Sequence, residues 1–373
     1  RGVALDTYSL ARLGSNSFAV IYTEQARPSE LAKDVEERLG VALAAPFAIG
    51  GQRVYLAGRA GIATFPTCGT DAEILLRNAE AALRRAKAQQ LRLVLYTPDL
   101  NAAVTRQLAM ETRLRRAIER KELVLHYQPK VELVTGRITG AEALLRWNDP
   151  ESGLVPPADF IHILEETGLI LDVGRWVMRE AVRASASLRA NGLPMVRIAV
   201  NVSSVQLRQE DFLRTVEAAT GAAGSQPHGL DVEIAEGVIM QNVPSNVTRL
   251  SELRNLGVGV AIDDFGSGHS SLAHLARLPA DAIKINRAFV HSMTHDPDHV
   301  SIVSTVISLA HALNRTVVAE GVEDAEQARL LRLLRCDHYQ GSLFSRPVAL
   351  PEFEQVLRSN LAAAGGQGSA ALG

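Results

Sequence analysis

The sequence predicts an α/β protein whose larger part is a closed barrel of strands and helices. From about residue 123 onward, short apolar runs alternate with helical patterns, and roughly eight such pairs predict a (β/α)8 barrel. Before residue 99 the pattern changes to a hairpin and isolated strands around two helices, which predicts a smaller α+β module. A chain of 373 residues is long enough for both domains.

The composition is that of an ordinary globular protein, with 47% apolar and 21% charged residues. A formal net charge of -2 gives no reason to expect duplex nucleic acid as a partner. The two cysteines fit a reducing compartment, and no apolar run is long enough to span a membrane. We therefore expect a cytoplasmic protein whose present segment makes no membrane contact. Arg1 lies in the middle of the pattern of the first module and not at its start, so the sequence is compatible with an upstream sensor or membrane region.

The first module begins with a hairpin signature, since two strand-like runs flank Gly14-Ser15-Asn16. The expected elements alternate between short strands and two helices. They are strands at Tyr8–Leu13 and Ser17–Tyr22, a helix at Pro28–Leu39, a strand at Val54–Phe65, a helix at Asp71–Ala88 and a strand at Leu91–Tyr96.

This module resembles the second half of GGDEF domains, the diguanylate cyclases. The resemblance rests on R-L-G-S-N-S-F-A-V (12–20), G-I-A-T-F-P (61–66) and the helix at 71–87. Where that family carries Gly-Gly-Asp/Glu-Glu-Phe, this chain has Gly14, Ser15, Asn16, Ser17 and Phe18, so both acids are missing. The resemblance therefore implies a partial, degenerate GGDEF-like domain over 1–98, without cyclase activity and with a regulatory or structural role.

A helix at 99–122 is expected to join the two domains, with Asp99 or Asn101 as its cap. It carries an apolar stripe and several arginines. A basic helix could bind a membrane or nucleic acid, but the interspersed Glu111 and Glu119 favour a solvated linker.

The barrel strands share one property, which is a polar residue at or near the end of each apolar run. The strands and their polar residues are Leu123–Leu133 with Gln128, Ile138–Leu145 with Glu142, Val196–Val200 with Asn201, Leu230–Ile234 with Glu233, Val258–Ile262 with Asp263, Ala282–Ile285 with Lys284 and Asn286, Thr316–Ala319 with Glu320, and 337–341 with Gln340. The intervening helical patterns lie at Ala158–Glu166, Gly174–Arg189, Phe212–Ala219, Asn246–Leu256, Ser271–Ala276, Val300–Leu313, Ala325–Leu334 and Pro351–Leu361. The Thr135-Gly136 turn after the first strand predicts that one strand is antiparallel.

Active sites of such barrels lie at the C-terminal rim of the strands, so these polar residues should meet at one mouth. Four carboxylates and an amide oxygen suit a hard divalent cation such as Mg²⁺ or Mn²⁺ better than zinc. So many acids exceed what one partly hydrated ion needs, and we expect two metals roughly 3.5–4 Å apart. Two metals at a barrel mouth suit the attack of water on a phosphodiester.

The adjacent acids Asp263 and Asp264 have two interpretations, a turn with a helix cap or a metal site. Successive strand residues point to opposite faces. Both acids can then reach metals only if the strand stops at Asp263, and we expect Asp264 to lie in the loop.

The barrel resembles EAL domains, the cyclic di-GMP phosphodiesterases, which have a TIM-like (β/α)8 barrel. A-E-A-L-L-R-W (141–147) carries the motif that names them, and further motifs follow in order: Y-Q-P, N-V-S, E-I-A-E, D-D-F-G-S-G-H-S-S-L, K-I-N, A-E-G-V-E and Q-G. The match spans about 105–361, and the EAL barrel domain itself is placed at 123–361. The resemblance implies cyclic di-GMP as the substrate and linear 5'-pGpG as the product.

The resemblance also implies a role for each site residue. Glu142, Asn201, Glu233 and Asp263 would hold one cation, and Asp263, Asp264 and Glu320 the other. Lys284 would orient the attacking water or assist proton transfer, Gln340 would help place that water, and Glu236 would brace the loop after Asp264. Gln128, Leu144, Arg146 and Asn286 would lie against the substrate, with Arg146 facing a phosphate.

The chain departs from the family pattern at five positions, with Asn286 in place of Asp, Ala235 and Ser267 in place of Thr, and His269 and Ser342 in place of Tyr. The departures that bear on activity are Asn286, Ala235 and His269. Every metal ligand remains, so we expect an enzyme. The departures leave open whether it is slow, and whether the barrel is instead a cyclic di-GMP receptor or a purely structural protein. A homodimer through the loop and helix after the double Asp is expected, and a disordered tail over 362–373.

Overall fold

A computed structural model describes residues 8–14, 17–22, 28–49, 52–54, 56–88, 91–221, 229–266 and 272–368. The chain divides into two compact units, an N-terminal unit over 1–109 and a barrel unit over 110–373. None of the described helices combines the length and the apolar character needed to cross a membrane.

The described residues of the N-terminal unit form three pairs of short strands and two complete helices. Its elements are β1 (Tyr8–Arg12), β2 (Phe18–Tyr22), α1 (Pro28–Leu43), β3 (Phe47–Ile49), β4 (Gln52–Val54), β5 (Ala60–Ile62), α2 (Ala72–Ala88) and β6 (Leu93–Leu95). The predicted hairpin is present as the antiparallel pair β1–β2. A small core of Cys68, Ala81, Ala82 and Tyr96 packs beneath α2.

The single strand predicted over Val54–Phe65 is wrong. The run is divided because β4 pairs antiparallel with β3, whereas β5 pairs parallel with β6. Gly61 in β5 allows the close packing of α2, since a Cβ there would lie 2.2 Å from the Ala79 carbonyl oxygen.

Helix α3 (Pro98–Glu119) contains the boundary between the units, which falls between Ala109 and Met110. The predicted linker helix therefore contributes its second half to the barrel unit. Leu114 and Ala117 are fully buried in the barrel core. Arg113 pairs with Asp149, and its guanidinium carbon lies 5.2 Å from the centre of the Trp147 ring.

In the described part of the barrel unit, nine strands form one sheet that closes on itself. Its strands are β7 (Leu123–Glu132), β8 (Ile138–Asp149), β9 (Gly153–Val155), β10 (Arg197–Asn201), β11 (Leu230–Ala235), β12 (Gly259–Phe265), β13 (Ala282–Ile285), β14 (Thr316–Glu320) and β15 (His338–Gln340). The order is β10-β11-β12-β13-β14-β15-β7-β8, and the β8–β10 pairing completes the ring, while β9 extends β8 outside it. Strand β7 is antiparallel to both of its neighbours, which confirms the predicted TIM-like barrel with one antiparallel strand.

Helices cover the outside of the ring. They are α4 (Ile161–Glu166), α5 (Ile170–Ala190), α6 (Ser204–Leu207), α7 (Phe212–Gly221), α8 (Glu236–Met240), α9 (Val243–Asn255), α10 (Leu272–Leu275), α11 (Arg287–Ser292), α12 (Pro297–Ala312), α13 (Ala325–Leu333) and α14 (Leu350–Gly368), with a short 3-10 helix at Pro157–Asp159. Local sequence signals start several of them. Asp324 caps α13 in a capping box with Gln327, and Asp296 caps α12 ahead of Pro297.

Helix α14 runs to Gly368, so the predicted disorder of 362–368 is wrong. Ala362, Ala363 and Ala364 are strong helix formers, which favours continuation beyond Leu361. The remainder of the predicted tail, 369–373, lies outside the described residues.

The predicted end of the strand at Asp263 is also wrong, because β12 continues to Phe265. The strand is irregular at this point, however. The pairing with β13 shifts between Ile262 and Phe265, and Asp264 has a φ of 53°. A left-handed residue at a bulge breaks the alternation of faces, so both acids can lie on the mouth side within a strand.

Candidate active site at the barrel mouth

The predicted polar residues meet inside the C-terminal half of the ring. The register places Glu142 beside Ala199, Asn201 beside Glu233, and Glu320 beside Gln340. Since interior residues alternate along each strand, these side chains share one face of the sheet. The exposed fraction of these side chains decreases from the mouth inward. Asp264 is exposed, whereas Glu233 and Lys284 are at most 1% exposed.

Lys284 lies at the centre of the acids. Its ammonium nitrogen is 3.2 Å from Glu142 Oε2, 3.4 Å from Asp263 Oδ1 and 2.5 Å from Glu320 Oε1. It also donates a short hydrogen bond to Glu233 Oε2. A fully buried ammonium requires such compensation, since an unpaired charge in this interior would be strongly unfavourable.

Amide side chains fix Glu142 from both sides. Asn201 Nδ2 donates to Glu142 Oε1 at 2.7 Å, and Gln340 Nε2 donates to Glu142 Oε2 at 2.7 Å. Gln340 Nε2 also donates to Gln128 Oε1 at 2.9 Å, which joins β15 to the antiparallel strand β7. Gly341 permits this arrangement, because a Cβ there would lie 2.0 Å from the Val322 carbonyl oxygen.

The pKa values of the acids separate them into two kinds. Burial alone would raise the pKa of Glu142, but the Lys284 ammonium and the amides of Gln340 and Asn201 leave it below its usual value. Burial, with the nearby Glu142 charge, raises the pKa of Glu233 to about 8. Burial also raises the pKa of Glu320 to about 7. Lys284 favours the ionised form of each acid that it contacts, while burial and repulsion between the acids oppose it.

The mouth contains a group of oxygen donors able to hold a cation. One carboxylate oxygen each from Asp263, Asp264 and Glu320 lies within 4.8 Å of the others. Burial and the neighbouring Asp263 charge raise the pKa of Asp264. Oxygen donors without sulfur or imidazole suit Mg²⁺ or Mn²⁺, so this donor set fits the predicted kind of ion.

Asn286 touches this group through its amide. Its Nδ2 donates to Asp264 Oδ1 at 2.9 Å, while its Oδ1 caps α11 by accepting from the Ala288 backbone N–H at 2.7 Å. The amide oxygen is thus already used by the helix cap. What faces Asp264 is a hydrogen-bond donor where the family pattern has an acid.

The remaining predicted residues lie around the mouth and not in its charged centre. Leu144 and Arg146 follow Glu142 on the inner face of β8, and Arg146 Nη1 donates to the Leu145 carbonyl at 2.8 Å. Buried Glu236 accepts from the Gly266 backbone N–H at 2.8 Å, directly after the double Asp. Residues 267–271, which include His269 and the start of the expected dimer contact, lie outside the described residues.

Sequence reasoning missed Lys130 of β7. Its ammonium lies 3.7 Å from Glu233 Oε1, and the two side chains are 14% and 0% exposed. The signal was available, because Lys130 follows Gln128 by two residues and therefore points to the same interior face. Sequence reasoning also missed the Ser345 carbonyl, which accepts from Gln128 Nε2 at 3.1 Å.

Comparison with known proteins identifies both parts of the chain. The family model described as "EAL domain" matches 111–347, and "Diguanylate cyclase, GGDEF domain" matches 4–92. A bifunctional diguanylate cyclase/cyclic di-GMP phosphodiesterase, MucR of Pseudomonas aeruginosa, is 38% identical over 352 residues, which are 94% of this chain and 51% of that protein. The cyclic di-GMP phosphodiesterase PdeR of Escherichia coli is 37% identical over 349 residues, or 93% of this chain and 52% of that protein.

A solved structure described as the PaMucR phosphodiesterase in a c-di-GMP complex matches with a TM-score of 0.64 and 40% identity. The match covers 66% of this chain and 99% of the solved one. The chain spans about half the length of the curated relatives it matches.

Proposed function

The chain belongs to the EAL domain family, with a GGDEF domain preceding the EAL domain, and from this membership we propose that its barrel hydrolyses cyclic di-GMP to linear 5'-pGpG with the help of two divalent cations. The observation that carries the proposal is the oxygen cluster of Asp263, Asp264 and Glu320 beside the Lys284-centred acids. The similar proteins MucR and PdeR, described as cyclic di-GMP phosphodiesterases, support the choice of substrate.

Two groups of ligands are proposed for Mg²⁺ or Mn²⁺. Glu142, Asn201, Glu233 and Asp263 would hold one ion, and Asp263, Asp264 and Glu320 would hold the other. When bound, such ions lower the pKa of water and offset the charge that builds on phosphorus. The pKa values of about 8 and 7 for Glu233 and Glu320 mean that both acids would release protons as they bind metal near neutral pH.

Lys284 and Gln340 are proposed to place the attacking water. A lysine that is fully buried and in contact with four acids keeps its proton, because those charges raise the pKa of Lys284 well above its usual value. In the metal-free protein it can therefore donate a hydrogen bond to an oxygen at the mouth, and its proposed role is to orient the attacking water or to assist proton transfer. Gln340 already donates to two acceptors and holds Glu142 in place.

The substrate is proposed to lie over Gln128, Leu144, Arg146 and Asn286 at the rim. Arg146 supplies a permanent positive charge for a phosphate oxygen of the dinucleotide. Leu144 is half-buried on the same strand and offers an apolar surface to a guanine base. Glu236 is proposed to brace the loop after Asp264 through its bond to Gly266.

The GGDEF part is proposed to regulate or stabilise the barrel and not to synthesise cyclic di-GMP. The supporting observation is the sequence at its signature, where Asn16 and Ser17 stand at the two acid positions of the family pattern. A homodimer through the EAL domain and a cytoplasmic setting are proposed on the same family basis.

The test is incubation of the purified chain with cyclic di-GMP and Mn²⁺, followed by chromatography for the linear product. The second candidate function is a receptor that binds cyclic di-GMP without cutting it, which the amide of Asn286 beside Asp264 favours. Absence of turnover together with intact micromolar binding would establish the receptor and reject the enzyme.

A further inference from the structure

Glu233 lies between two lysines that approach it from different strands. Lys284 of β13 contacts Oε2, and Lys130 of β7 lies 3.7 Å from Oε1. Within the described residues, Oε1 has no hydrogen-bond partner although it is buried. Lys130 is therefore a second positive charge within ion-pair distance of this carboxylate, on the side of Oε1.

The barrel interior is built to admit the Lys130 side chain below the mouth. Lys130 pairs with Gly140 on β8, one layer below the pairing of Gln128 with Glu142. Small residues occupy three interior positions of other strands, namely Gly140 on β8, Ala199 on β10 and Ala261 on β12. Ala199 and Ala261 are at most 5% exposed, so these positions lie inside the closed barrel.

The antiparallel direction of β7 brings this lysine to the centre. Along β7 the odd-numbered residues Leu123, Leu125, Tyr127 and Val131 are buried on the outer face. The even-numbered residues Gln128 and Lys130 share the inner face, where Gln128 bonds Gln340. Gln128 thus lies at the rim of the site, and Lys130 lies below it, at the end of the site farther from the mouth, which we call the floor.

We infer that Lys130 is a positioning residue that holds the Glu233 carboxylate from the floor of the barrel, with Oε2 turned toward the metal-binding mouth. This inference rests on the proposed function, since it concerns Glu233 as a ligand of the first cation. Groups that orient ligating side chains commonly change metal affinity about 10- to 100-fold when removed. Lys130 acts through Glu233 and touches neither the substrate nor the rim.

The test is calorimetric titration of the full chain with Mn²⁺ alone, without nucleotide, comparing the wild type with Lys130→Met and Lys130→Arg. Lys130→Met keeps the length of the side chain but removes its charge, and we expect Mn²⁺ binding at least about tenfold weaker. Lys130→Arg keeps the charge and should bind within about threefold of the wild type. Lys121→Met makes the same change on the exposed surface just before β7 and should leave binding unchanged.

A double-mutant cycle shows whether Lys130 acts through Glu233. In a Glu233→Gln background, adding Lys130→Met should weaken Mn²⁺ binding by less than about twofold, because the group that Lys130 holds is already altered. A full tenfold loss in that background would overturn the inference. So would unchanged or tighter binding by Lys130→Met alone, since removal of a nearby positive charge could by itself favour the cation.

The readout separates this inference from the proposed function. If the wild type binds Mn²⁺ but leaves cyclic di-GMP intact, the proposed hydrolysis fails, and the binding comparison still decides the role of Lys130. If Lys130→Met does not fold, Mn²⁺ binding is measured for Lys130→Arg alone and for Lys130→Arg combined with Glu233→Gln. A tenfold weaker binding by Lys130→Arg would count against the role of Lys130. For active protein, Lys130→Met should lower kcat at fixed Mn²⁺ and leave KM for the nucleotide near the wild-type value.

Discussion

Replacing Asn286 with Asp tests whether the residue beside the double Asp limits the second cation. In the structure the Asn286 amide donates to Asp264 at 2.9 Å and its oxygen caps α11. Asp caps helices about as well as Asn, so the change leaves the cap in place. What changes is the group facing Asp264, which becomes a carboxylate in place of a donor.

The size of the effect on stability and on Mn²⁺ affinity follows from the short distance between residues 286 and 264 and from the exposure of Asp264. Two unit charges about 4 Å apart interact by about 4 kcal/mol in a protein-like medium and by about 1 kcal/mol in water. Because Asp264 is exposed, we expect about 1–2 kcal/mol of repulsion in the metal-free variant, and about 1 kcal/mol from the lost hydrogen bond. A bound cation relieves the repulsion and gains a ligand, so Mn²⁺ should bind at least about tenfold more tightly, which corresponds to about 1.4 kcal/mol.

The assay is a Mn²⁺ titration by calorimetry together with urea unfolding in EDTA. Asn286→Asp should be less stable than the wild type without metal and should bind Mn²⁺ more tightly. Asn242→Asp makes the same chemical change at the exposed N-cap of α9, where the side chain caps the helix and contacts none of the mouth acids in the described residues, and should alter neither quantity. Unchanged or weaker Mn²⁺ binding by Asn286→Asp would refute the assignment of Asp264 to the second ion.

Three further predictions follow from the same contacts. Glu142→Gln removes a carboxylate charge to which three side chains donate hydrogen bonds, so kcat in the steady-state assay should fall by at least about a hundredfold. A rate within a few-fold of the wild type would contradict the assignment of Glu142 to the first metal site. Mn²⁺ affinity should fall as the pH drops from about 8 to 6, because Glu233 and Glu320, with pKa values of about 8 and 7, hold protons that the ion must displace. Calorimetry in buffers of different ionisation enthalpy should detect the released protons, and an affinity that does not change with pH would contradict this prediction. Arg113→Ala should lower the free energy of unfolding, measured in urea, by about 1–3 kcal/mol, because buried Asp149 loses its ion pair. Mn²⁺ affinity should stay unchanged, and a change in affinity without loss of stability would contradict this prediction.

The barrel and most of its mouth could be predicted from the sequence because both depend on local pattern. Apolar runs that carry Glu142 and Glu233, or end at Asp263 and Glu320, indicate parallel strands, and the C-terminal ends of such strands meet at one rim. The Thr135-Gly136 turn correctly predicted the antiparallel strand, since so short a connection cannot cross the barrel.

What escaped prediction depends on contacts between distant strands. The interior face of Lys130 could be inferred from Gln128 two residues earlier, but its 3.7 Å approach to Glu233 could not, because the two lie on strands that are not neighbours in the sheet. The extension of β12 through Asp264 also escaped, because a bulge with a left-handed residue depends on the pairing with β13. The division of Val54–Phe65 between two strand pairs has the same kind of cause.

The central claim is that the barrel uses water and bound cations to open cyclic di-GMP. Its most direct test is incubation of the full chain with cyclic di-GMP and Mn²⁺ in water labelled with oxygen-18, followed by mass spectrometry of the products. We predict linear 5'-pGpG with one heavy oxygen atom on its 5'-phosphate, and no product when EDTA replaces Mn²⁺. Unlabelled, intact cyclic di-GMP recovered from protein that binds it would contradict the claim.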